Sequence, residues 1–154
     1  MKRRTCLLAA LAAPLLARAH HGWSSFDQDR PVYLQGKVAS VTWQNPHAEF
    51  MLELPPDYKL PADLAGRALP AQSAGVDGKA LLAKAVAPTR KDRRWQIELA
   101  PLTRMQAWKV VPLQAGGNVG VLGFTFKEEK GEPIVRAEYL FVDGKVYGLR
   151  SSPV

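Results

Sequence analysis

From residue 32 to residue 54, apolar and polar positions alternate with a period of two, the spacing of a half-buried strand. Val32, Leu34, Gly36 and Val38 share one parity, and Val41 and Trp43 fall on the other. A one-residue slip inside a continuous run predicts a bulge or strong bend in one long strand over 32–44. Asn45-Pro46 then interrupts the ladder, because Asn tolerates turn conformations and Pro has no N–H to donate. Ala48, Phe50, Leu52 and Leu54 form the apolar face of a second strand over 47–54. His47, Glu49, Met51 and Glu53 form its other face, and the two strands read as a hairpin.

Residues 55–93 lose this rhythm. Pro55-Pro56, Pro61, Pro70 and Pro88 divide an Ala/Gly-rich stretch with too few large apolar residues to form a core. We read it as a long, partly mobile insertion between strands. Asp77 caps a short helix over 78–87, which Pro88 ends. The basic run Arg90-Lys91-Asp92-Arg93-Arg94 reads as a solvated loop end, with contact to an acidic partner as the other reading.

Alternation resumes at 95–99. Pro101 suits the first position of a short helix over 102–109. Gly116-Gly117 turns the chain into a strand over 119–126, where Leu122, Phe124 and Phe126 share a face. A charged loop over 127–132 leads to a strand over 134–142, and Asp143-Gly144 is a tight hairpin signal before a last strand at 145–149. The pattern is mainly β: a small OB-like barrel of five to six strands, with one short helix between the third and fourth and a Pro/Ala/Gly-rich insertion. No internal repeat is visible. Trp23, Trp43, Trp95 and Trp108 suit core or barrel-end packing, or else a stacking platform for a ligand.

The first residues have another character. Lys2, Arg3 and Arg4 precede an apolar run over 6–16, and Ala17-x-Ala19 supplies the small residues of a cleavage site. The run is shorter than the roughly 20 residues that span a bilayer. We expect a signal peptide at 1–19 and a single domain at 20–154, exported to the periplasm or secreted. The Sec route suffices, and Arg3-Arg4 also permits twin-arginine export. The membrane is then met only during export. Cleavage removes four of the 21 basic residues and no acid, so 17 remain against 14 acidic, and +7 becomes +3. That residue of charge is too weak to argue for nucleic acid. Cys6, the only cysteine, leaves with the signal, so the mature chain forms no disulfide of its own.

Two motifs stand out: His20-His21-Gly22-Trp23, and Gly36-x-Val38-x-x-Val41-x-Trp43-x-Asn45-Pro46-His47. Together they resemble a family of small exported bacterial proteins known as a domain of unknown function, DUF6152. Trp95, Glu98-Leu99-x-Pro101, Arg104, Trp108 and the glycines before Val119-x-Val121-x-Gly123 agree with it too. The insertion departs from the family pattern, which has a short loop there, and Ala115-Gly116-Gly117-Asn118 stands where the family has a Pro-Gly-Asp type turn. The resemblance implies export and a small β-barrel, and no activity.

Chemistry must come from the residues. All three histidines, His20, His21 and His47, lie in those two motifs. Cleavage after Ala19 makes His20 the mature N-terminus, with a free amine and an imidazole on one residue. Nitrogen donors of this kind favour copper(II) among divalent first-row metals. In one mode His20 gives its amine and ring and His47 adds a second ring across the site. In another, the amine, the amide of residue 21 and the His21 ring bind together. Met51 offers a soft thioether, and Glu49 is placed to orient His47. Plainer readings are a disordered polar start for His20 and His21, a hydrogen-bonded hairpin residue for His47, and packing for Met51.

No nucleophile elbow, phosphate loop or HExxH motif occurs, and nothing argues for an enzyme. The sequence therefore points to an exported protein that binds copper or a similar transition metal through His20, His21 and His47. The alternative is a metal-free periplasmic module that binds a protein or small ligand.

Overall fold

The computed structural model describes residues 21–154; the expected signal at 1–19 and His20 lie outside the described residues. The elements run β1 (Val32–Thr42), β2 (Glu49–Glu53), α1 (Gly78–Lys84), β3 (Arg94–Glu98), α2 (Leu102–Ala107), β4 (Asn118–Thr125), β5 (Ile134–Val142) and β6 (Lys145–Gly148). The sheet order is β3-β2-β1-β4-β5-β6, and a parallel pairing of β3 with β5 closes the first five strands into a barrel. The fold is mainly β: a closed five-stranded barrel with one extra strand, α2 lying between β3 and β4 as in an OB-fold. Among the described residues no helix is long and apolar enough to cross a membrane.

The slip in the β1 pattern is a bulge. Val38 pairs with Leu52, and Ser40, not Ala39, pairs with Met51. This lets one strand serve two neighbours, with Lys37 opposite both Glu53 of β2 and Asn118 of β4. Gly36 sits at that crossing, where a Cβ would collide with the backbone carbonyl of Glu53. Val32, Leu34 and Val38 point inward with Phe50, Leu52 and Ile97. At the β5–β6 turn, Asp143 and Gly144 both have positive φ, 51° and 72°, the conformation that a two-residue hairpin with native twist requires.

Several element ends differ from the sequence reading by one to three residues. β2 begins at Glu49, because Ala48 exchanges hydrogen bonds with the chain beyond β3: its N–H donates to Ala100 O, and Leu99 N–H donates to Ala48 O. His47 therefore lies in the loop, not the strand. Helix α1 is capped by Asp77 as expected, its carboxylate accepting from Ala80 N–H at 3.0 Å, but ends at Lys84.

The insertion is a packed layer, which corrects the looser picture. Tyr33, Leu122 and Tyr139 face out of the barrel and are buried beneath Leu64 and Leu82, with Leu60, Leu69 and Val76 around them. The segment has no core of its own; it shares one with the outer face of the sheet. The basic run is also more engaged than a solvated end. Arg90 donates to Asp92 and to Glu129 O, and its guanidinium lies 5.9 Å from the centre of the Trp95 ring. Arg93 and Arg94 pair with Glu53.

The tryptophans divide in role. Trp95 is in the core, Trp43 packs against it, and Trp108 donates its indole N–H to Ser151 O at 2.7 Å. Arg104 holds the same terminal segment through Leu149 O at 3.1 Å.

Candidate functional site

A cleft of about 420 Å³ opens where the β1–β2 loop meets the ends of β3 and the start of β5. His47 and His21 both line it, 26 positions apart in sequence. His47 arrives on the loop after the cis Asn45–Pro46 bond and is half-buried. The loop is tied down because Leu102 N–H donates to Asn45 Oδ1 at 3.2 Å, which joins it to the start of α2. His21 comes from the N-terminal segment and stands edge-on to Phe126, ring centres 4.9 Å apart. Phe26 lies beneath, stacked on Phe126 at the same centroid distance.

Three carboxylates complete the wall: Glu49, Glu98 and Glu132. Strand register makes two of them neighbours, since Glu49 of β2 lies opposite Glu98 of β3. Gln96 Nε2 donates to Glu49 at 3.0 Å. Glu98, only 4% exposed, accepts from Arg136 Nη1 at 3.1 Å across the parallel β3–β5 pairing. Among the described residues, no lysine or arginine lines the cleft, and Arg136 meets it only through Glu98. The field of the cleft therefore favours a cation.

Of the residues singled out from sequence, His21, His47 and Glu49 meet at this cleft, and Met51 is not among its lining residues. His20 lies outside the described residues. Among the described residues, no group of three or more His, Cys, Asp or Glu converges closely enough to hold a metal alone. Glu98 and Glu132 escaped notice as site residues. Their signal is the barrel closure itself, which no strand announces alone.

A second cleft, about 450 Å³, lies over Tyr33 and Phe141. Its one guanidinium, Arg67, is engaged: it donates to Asp63 at 3.0 Å and to the Tyr33 hydroxyl at 2.6 Å. That hydroxyl in turn donates to Gln35. Burial raises the Tyr33 phenol above its usual range, with Arg67 opposing, so it stays protonated at neutral pH. The polar groups of Arg67, Tyr33 and Gln35 serve one another.

With the geometry in place, comparison with known proteins adds one finding. A model of a family of unknown function, DUF6152, matches residues 7–58. Over that stretch the chain resembles this family. The match takes in the His20–Trp23 and Gly36–His47 motifs and ends just inside the insertion. Those two motifs supply both sides of the cleft that carry imidazole. No curated protein matches the chain, and neither does any solved structure.

Proposed function

We propose that the mature protein is exported and binds copper(II), or a similar transition metal, at this cleft. Support comes chiefly from His21 and His47 lining one cleft with three carboxylates, of which Glu98 is already paired with Arg136. The described residues alone do not complete a ligand set. The proposal supplies the rest from the processed N-terminus: the His20 amine and ring, one residue before His21. Imidazole and amine nitrogens suit copper(II), and the carboxylates offset its charge. No step of a reaction is implied, and the role is binding rather than catalysis.

Copper(II) titration of protein beginning at His20, against protein with one extra N-terminal residue, tests this directly. Moving the amine should weaken binding at least about tenfold, or 1.4 kcal/mol. His47→Ala should weaken it comparably and change the copper spectrum. Equal, weak binding by both lengths would overturn the proposal and leave the metal-free binding module. If only His47→Ala had no effect, the site would reduce to an N-terminal chelate.

A further inference from the structure

His21 is joined by one residue, Gly22, to a side chain with an unusual set of neighbours. The Trp23 ring has the Arg150 guanidinium 3.6 Å from its centre and that of Arg136 at 5.2 Å. Phe124 meets it edge-on at 6.3 Å. Neither cation is there by chance of a long side chain. Arg150 is fixed by a forked pair of hydrogen bonds, 2.6 and 2.9 Å, to Glu138, a carboxylate with no exposure at all. Arg136 is fixed by Glu98, the most buried carboxylate of the cleft, while its own Nε is buried with no hydrogen-bond partner among the described residues. Packing against Trp23 is what remains for that end of the guanidinium. Trp23 is otherwise half-exposed and near the start of the domain, where chains are usually loose.

The residues that follow lock the same segment. Ser25 and Phe26 close a single turn onto Gly22 O and Trp23 O. Phe26 is 2% exposed, and Asp27 N–H donates to Thr125 O beyond it. Two residues span at most about 7 Å, so fixing Trp23 confines His21 to the rim of the cleft.

We infer that Trp23 is a positioning residue: it clamps the N-terminal segment between Arg136 and Arg150 so that His21 faces His47. The functional consequence rests on the metal reading above; the clamp itself does not. Through Arg136 the clamp also touches the cleft wall, so the ring that positions one side of the site braces Glu98 on the other.

The test uses protein beginning at His20, with Trp23→Ala and, in case that variant folds poorly, Trp23→Leu, which keeps apolar volume but removes the aromatic face. Without metal, the His21 ring protons should show ring-current shifts from Phe126 that vanish in either variant. Amide exchange over 22–26 should rise at least about tenfold while the barrel strands are unchanged. With copper(II), His47→Ala should cost about 10–100-fold when Trp23 is present. On a Trp23→Leu background it should cost less than about twofold, the loss of coupling that a double-mutant cycle reads. Unchanged His21 shifts in Trp23→Leu would overturn the clamp. Shifts that vanish while the His47→Ala cost persists would overturn its positioning role. If His47→Ala costs nothing even beside Trp23, the site reduces to an N-terminal chelate without His47, and the metal-free shifts still decide the clamp.

Discussion

Glu129 shows how much one side chain can organise here. It lies in the loop before β5 with positive φ, 53°, and its carboxylate is nearly inaccessible. Burial alone would raise its pKa, but backbone N–H donors from Thr89 and Arg90, the Arg30 guanidinium at 2.7 Å and the Thr89 hydroxyl bring it below the usual carboxylate range. A depressed folded value means the stabilisation is present above the unfolded pKa, about 4.3, and is lost as pH falls through the lower folded one. Glu129→Gln should therefore unfold more easily at pH 7, by about 1–3 kcal/mol. Its loss of stability below pH 4.5 should be shallower than that of the unaltered protein. Denaturant titration at a series of pH values checks both, and parallel pH profiles would exclude this role for Glu129. The sequence placed this residue in a charged loop; its backbone donors, Thr89 and Arg90, come from the end of the insertion, 40 and 39 positions away.

At the scale of elements, alternation was legible wherever a strand has one wet face. The β1 parity slip foretold the bulge between Val38 and Ser40, and Asp143-Gly144 foretold the β5–β6 turn. The boundary at His47 was not legible, because a strand's start depends on which neighbour takes its hydrogen bonds. Gly36 lies where β1 passes from one partner to the other. Gly36→Ala would drive a methyl group into the Glu53 carbonyl. The ladder must open there, and overpacking of this kind costs about 1–3 kcal/mol. A matching drop in unfolding free energy, with faster amide exchange at Leu52 and Glu53 than elsewhere, is the expected result; exchange raised uniformly would mean that the crossing is not the point of strain.

For the whole molecule, the insertion matters most. β2 and β3 pair up to Glu53 and Arg94, and Leu54 N–H donates to Arg93 O, so a short turn could join them. Replacing residues 59–87 by such a turn should keep the barrel ladder but uncover Tyr33, Leu122 and Tyr139. Each fully buried side chain of this size is worth about 1.5–3 kcal/mol, and together they rival a modest domain's entire stability. Dye binding to exposed apolar surface and a broadened thermal transition should follow; a truncated protein with unchanged stability would refute this covering role. The sequence by itself determined the strands, their turns, the helix between the third and fourth strands and the barrel class, because those follow from period and turn chemistry in adjacent residues. It also marked the two histidine motifs. Only tertiary structure decided that β3 closes on β5, that the insertion shields the sheet, and that His21, His47 and three glutamates share one cleft. Those depend on register between segments dozens of residues apart, and no local pattern encodes which surfaces will face each other.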